Sequence, residues 1–136
     1  MARGSICATT LVSTTKSTQR PSVGARRRLG IDVSRGEVTR FVVQLEYLVE
    51  PTTDEWASVV RYDHDGEGSA QAAHDVTEEG LHIDVYLDGE KADTHELTPP
   101  LPANEALRVA EDHLAEHVQG YVERFERWHG IRHDDP

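Results

Sequence analysis

Seven side chains able to move protons or to hold ions crowd one stretch of the sequence, WASVVRYDHDGEGSAQAAHDVTEEGLHIDVYLDG, from Trp56 to Gly89. They are Arg61, Asp63, His64, His74, Asp75, His82 and Asp84. A histidine, a carboxylate to orient it and an arginine for an anionic group are the working parts of general acid–base catalysis. Metal-independent RNA cleavage needs that set: a base for the 2′-hydroxyl, an acid for the leaving oxygen and a cation for the phosphorane. In this reading His74 or His82 is the acid or base, Asp63 or Asp84 its orienting carboxylate, and Arg61 the phosphate contact.

Two other readings use the same residues. His74-Asp75 and His82-x-Asp84 offer imidazole and carboxylate ligands for a divalent metal, the second pair with same-face spacing on a strand. No HExxH motif and no cysteine pair accompanies them. The plainest reading makes Arg61, Asp63, His82 and Asp84 a solvated sheet face, paired across strands. His113 and His117, four apart on a helix, have chelating spacing, but beside an apolar stripe they read as boundary residues.

Elements to position these groups follow from periodicity. In RFVVQLEYLV, Phe41, Val43, Leu45, Tyr47 and Val49 alternate with a second face, as a strand does. WASVVRYD reads as a second strand with Arg61 and Asp63 on one face, joined by a connection short enough for an antiparallel pair. HDGEGSAQAA reads as a polar loop and HDV as a brief edge strand. LHIDVYL alternates cleanly, with Leu81, Ile83, Val85 and Leu87 opposite His82, Asp84 and Tyr86. Asp88-Gly89 signals a hairpin, because a type I′ turn needs positive φ at both central positions. ADTHEL is the return strand.

Pro99, Pro100 and Pro102 end the sheet and lead into one long helix with Asn104 as its N-cap. Leu107, Ala110, Leu114, Val118, Tyr121, Val122, Phe125 and Trp128 form its apolar stripe, and Gly130 stops it. The expected fold class is α+β: an antiparallel meander of about four strands packed against one long C-terminal amphipathic helix. Its aromatic end and the two sheet edges offer contacts for a homodimer or a protein partner.

Composition separates the first 36 residues from the rest. They carry seven bases, and every acid but Asp32 follows them. With serine, threonine, glycine and proline interleaved, residues 1–36 read as a disordered basic arm, and 37–136 as a single α+β domain. GARRRLG would let the arm touch RNA; a mis-assigned start would also leave such a leader. The chain has 136 residues and a formal net charge of −11. Only Lys16 and Lys91 are lysines, so the acid-rich, arginine-biased balance reads as a halophilic archaeon's protein, whose self-repulsion molar salt screens. One cysteine, Cys7, excludes an internal disulfide. No run approaches the roughly 18 apolar residues of a membrane helix, so the expected setting is the cytoplasm, with no membrane partner.

The phrase VVRYDHDGEGSAQAAHD resembles the core of small prokaryotic domains related to the TumE-type toxins. Arg61-Tyr62-Asp63 and His74 stand at the matching positions, with His64 a looser match, over about a quarter of the chain. The Pro-His-His step of that pattern is replaced here by an acidic glycine loop. The resemblance implies a toxin-like strand-loop-strand core and an antitoxin-like protein partner. The chain is also similar to uncharacterised haloarchaeal domains of this size, a resemblance that implies no activity. The expectation is a toxin-like protein that cleaves RNA without cofactors. The alternatives are a non-catalytic interaction module and a divalent-metal-binding protein.

Overall fold

The computed structural model describes residues 12–22, 24–66 and 74–130. Strands β1 (Val12–Ser22), β2 (Ala25–Ser34), β3 (Glu37–Glu50) and β4 (Glu55–Asp65) are followed by a helical turn, α1 (Val76–Glu79). Strands β5 (His82–Leu87) and β6 (Glu90–Glu96) then lead into the long helix α2 (Ala103–Trp128). The strands form one six-stranded antiparallel sheet in chain order, a pure meander.

The α+β class and the C-terminal helix are as expected, but the sheet has six strands and not about four. The two additional strands lie in the stretch read as a disordered arm, of which residues 1–11 fall outside the described residues. The arginine run had hidden a period of two in ARRRLGIDVS. Arg27, Leu29, Ile31 and Val33 face the helix side and pair with Leu45, Val43, Phe41 and Val38. The Arg27 guanidinium lies 4.0 Å from Glu111 on α2, its aliphatic stem lying against the core and its charge at the rim. Arg35 (φ 56°) and Gly36 (φ 78°) close the β2–β3 hairpin with the same double positive φ that Asp88 (54°) and Gly89 (80°) supply to β5–β6.

The core lies between the sheet and α2. Phe41, Val43, Leu45 and Tyr47 of β3, Val60 and Tyr62 of β4, and Ile83 and Val85 of β5 meet Ala106, Ala110, Leu114, Val122 and Phe125. The buried residues of the helix are alanines in its first turns and Leu114, Val122 and Phe125 beyond. Each large apolar side chain buried there contributes about 1.5–3 kcal/mol. Tyr47 adds a polar tie, its hydroxyl donating to Glu126 Oε2 at 2.6 Å. Trp128, expected in the stripe, is 47% exposed at the helix end, under the Arg124 guanidinium.

Two local expectations are corrected. Pro102, not Asn104, occupies the N-cap of α2, and no side chain caps the helix. Asn104 instead accepts from Val38 N–H (2.9 Å) and donates to Gly36 O (3.2 Å), tying the helix start to the β2–β3 hairpin. The segment read as an edge strand at His74–Val76 leads into α1, because the Asp75 carboxylate accepts from Thr77 N–H and caps a helical turn. Of the loop expected from His64 onward, His64 and Asp65 complete β4, and residues 67–73 lie outside the described residues. Among the described residues no helix is long and apolar enough to cross a membrane.

Candidate functional site

Strands β4 and β5 pair at only two positions, Val60 with Val85 and Arg61 with Asp84. Beyond Arg61 they part: β4 stays with β3 as far as Asp65, while β5 begins at His82. The incoming segment His74–Gly80 fills the opening. Asp65 N–H donates to His74 O at 2.8 Å, and Val76 N–H donates to His64 Nδ1 at 3.1 Å. His64 must therefore present an unprotonated Nδ1, and burial pushes its pKa down in spite of Asp75, Asp65 and Asp63 nearby. Gly80, at φ 84° and ψ 175°, lets the chain turn back against Thr98. A Cβ there would stand 2.1 Å from Thr98 O, so only glycine fits.

This closure gathers charged side chains on the face of the sheet away from α2. Arg61 Nε donates to Asp63 Oδ2 (3.1 Å), and Asp63 Oδ1 accepts the backbone N–H of His74 (3.3 Å). Asp84 Oδ1 accepts from Thr94 Oγ1 (2.9 Å), and its Oδ2 lies 3.4 Å from Lys91 Nζ. His74 directs Nδ1 at Glu79 Oε1 (3.2 Å) and Nε2 at Asp84 Oδ1 (3.5 Å). That Nε2 is buried and lacks a well-formed hydrogen bond. The His82 ring stacks on His74 at 4.8 Å and 14°, with its own Nδ1 3.2 Å from Gly80 O.

The electrostatics follow from this enclosure. Asp63 and Asp84 are 3% and 2% exposed, although each is charged and on a nominally outer face. Burial alone would push the His74 pKa down; Glu79, Asp63 and Asp84 outweigh it and hold it above the usual imidazole value. The Glu79 carboxyl is held down by its bond from the Asp75 N–H and then by His74.

The five residues given a role in the acid–base reading are thus brought together: Arg61, Asp63, His74, His82 and Asp84. Two features differ from an open catalytic groove. The aspartates are enclosed, and the segment His74–Gly80 packs beside them, with the His74 N–H on Asp63 Oδ1. His74 turns both ring nitrogens towards carboxylates, which favours its protonated form. Two donor groups of three result, Asp63–His74–Asp84 and His74–Glu79–His82, the donor atoms of each lying within 4.8 Å of one another.

The remaining histidines fall elsewhere. His64 packs against Phe41 at 5.7 Å on the helix side. His113 and His117 stack at 4.2 Å, but His113 Nδ1 is engaged by the Tyr62 hydroxyl at 2.7 Å. They are boundary residues of the core.

Glu79, Lys91 and Thr94 were not singled out in the sequence. Asp75-x-x-Glu78 is a capping-box spacing that would have placed a helical turn, and Glu79 with it, beside His74. The Asp88-Gly89 turn alone would set Asp93 opposite Asp84; a register shift between Val85 and Tyr86 brings Thr94 there instead, and no local pattern announces it.

Residues 12–131 match the family model described as Domain of unknown function (DUF7718), which covers most of the chain, so the chain belongs to that family. No curated protein and no solved structure matches it.

Proposed function

We propose that this member of the DUF7718 family carries a divalent-metal centre where β4 and β5 part. Asp63, His74 and Asp84 would be its ligands, and its use would be metal-assisted hydrolysis. One observation carries the reading: His74 Nε2 is buried, lacks a well-formed hydrogen bond, and faces a buried carboxylate oxygen at 3.5 Å. With bond lengths near 2.1 Å, two ligands of one tetrahedral zinc stand about 3.4 Å apart. Glu79 on Nδ1 is the carboxylate that metal-bound histidines ordinarily have behind them, fixing ring and tautomer.

Arg61 and Lys91 each occupy one aspartate's Oδ2, which leaves both Oδ1 atoms on the His74 side. Mixed imidazole and carboxylate donors suit zinc, manganese or nickel better than calcium. Three protein ligands leave positions for water, and a bound cation lowers that water's pKa towards neutrality. Binding would release the proton that the carboxylates hold on His74.

The acid–base reading rests on a different residue. His82 donates Nδ1–H to Gly80 O, which leaves Nε2 as its acceptor nitrogen, and Arg61, opposite Asp84 on the neighbouring strand, would be the phosphate contact. Both readings are tested together. The purified chain is titrated with Zn²⁺, Mn²⁺ and Ni²⁺ by calorimetry, beside His74→Gln, Asp84→Asn and His82→Gln. Stoichiometric binding lost in the first two variants and kept in His82→Gln supports the metal centre. Binding by no metal, or equal binding by His74→Gln, overturns it. RNA cleavage in EDTA that needs His82 would establish the acid–base alternative.

A further inference from the structure

Gly30 sits in the middle of β2, opposite Lys16 of β1 on one side and Val42 of β3 on the other. Nothing in the fold calls for glycine there. Its φ is not positive, and a Cβ at this position would meet no atom within 4 Å. Glycine weakens a strand interior, and where no bulge or bend explains it, a close approach by something else is the remaining physical reason.

The missing side chain opens a trough on the sheet face away from α2. Lys16, Thr18, Arg28, Gly30, Val42 and Gln44 line its larger part, of about 370 Å³. A smaller part of about 170 Å³, sharing Lys16, Gly30 and Val42, continues between Asp32 and Arg40. Val42 pairs with Asp63, so the trough lies one strand away from the His74 centre.

Its charge is opposite to that of the whole chain. On a protein of formal net charge −11, Lys16, Arg28 and Arg40 line the trough against a single carboxylate, Asp32, the strand partner of Arg40. Lys16 makes no ion pair among the described residues. Arg28, 55% exposed, has Glu46 only at 3.9 Å, and that carboxylate is already held by Arg26 at 2.7 Å and Gln44 at 2.6 Å.

From this geometry we infer that the trough binds a phosphate ester of nucleotide size. The cations take the phosphate, Thr18 offers a hydrogen bond, and Gly30 with Val42 gives a flat floor for the organic body. The inference is independent of the metal reading, because the cations it uses, Lys16, Arg28 and Arg40, are not among the proposed ligands of the ion.

The test is calorimetric titration of the full chain with AMP, ADP and inorganic pyrophosphate, at the lowest salt that keeps it folded. Wild type, Lys16→Gln, Arg28→Gln and Gly30→Val are compared, with melting temperature and molar mass in solution measured for each. The expected result is binding of AMP or ADP, weakened at least fivefold in Lys16→Gln and Arg28→Gln. Gly30→Val should lose binding while melting at or above the wild-type temperature, since valine suits an extended position with open space. Failure of wild type to bind any of the three, or unchanged binding by Gly30→Val, overturns the inference. A wild-type dimer that Gly30→Val splits also overturns it, since the occupant would then be a second copy.

Discussion

His74 Nε2, itself out of contact with solvent, and Oδ1 of the buried Asp84 face each other across 3.5 Å. That separation is long for a hydrogen bond and short for two groups with no business together. An ion held between them would bind the native state alone, so it should stabilise the fold by mass action. At a free metal concentration 100 times the dissociation constant the gain is about 2.7 kcal/mol. We expect zinc or manganese to raise the melting temperature by several degrees and EDTA to reverse it. Thermal melts of wild type and Asp84→Asn check this; the variant should show no metal-dependent shift.

Glu79 touches none of the proposed open positions, yet it holds His74 Nδ1 at 3.2 Å. Glu79→Gln keeps the shape, and its amide can still accept from the Asp75 N–H. The neutral group makes His74 a weaker ligand. Metal affinity should fall about 10- to 100-fold, with circular dichroism and melting of the metal-free protein nearly unchanged. A loss of fold, or unaltered affinity in calorimetry, would count against the second-sphere role.

Gly80 brings the connecting segment back against Thr98, and its φ and ψ are ones that only glycine adopts without strain. Gly80→Ala adds a Cβ that would stand 2.1 Å from Thr98 O. The expected cost exceeds about 2 kcal/mol. Because His82 Nδ1 bonds to Gly80 O, the His74–His82 stack should loosen as well. Urea unfolding gives the first quantity, and the histidine ring shifts in NMR spectra report the second.

Much of this site could be read before folding, and the reason is geometric. Alternation in LHIDVYL set His82 and Asp84 on one face, and the RYD step set Arg61 and Asp63 likewise, so a two-strand neighbourhood was enough to unite them. His74 was legible as a residue type but not as the centre. Its place depends on β4 and β5 parting after two pairs, a register fact that no local pattern contains. The first two strands were lost for a different reason. Arg26, Arg27 and Arg28 read as part of a disordered basic arm, whereas the fold sends Arg27 to the helix side and its neighbours to the opposite face. Charge density hid a period of two. Gly30 carried no signal until its empty surroundings were visible.

Tyr47 and Glu126 tie the sheet to the end of α2. The hydroxyl donates to the carboxylate at 2.6 Å, and burial together with that bond pushes the tyrosine's pKa far up. Tyr47→Phe leaves a buried carboxylate without this donor, and the cost should be about 1–3 kcal/mol. Denaturant titration measures it. The glycine-lined trough is on the other face, so nucleotide binding should survive the substitution.

His113 supplies a pH test away from the proposed metal ligands. Burial, and after it the neighbouring His117, lower its pKa, and Glu116 opposes them weakly. From the sheet it is met by the Tyr62 hydroxyl, which donates to Nδ1 at 2.7 Å, and on its own helix by Tyr121. A base whose folded pKa is lowered binds fewer protons when native than when unfolded. Its contribution is therefore complete above the unfolded value of about 6.5 and is lost as pH falls through the folded value. Protonation would also convert Nδ1 into a donor facing a buried hydroxyl that can no longer give its own proton. Melting temperatures of wild type and His113→Gln should thus converge as pH is lowered from 8 to 5. Histidines that do not touch His113 act equally in both proteins and drop out of the difference; His117, stacked on it at 4.2 Å, belongs to the effect measured. A gap that stays constant across that range would show that His113 remains neutral throughout and packs as a spectator.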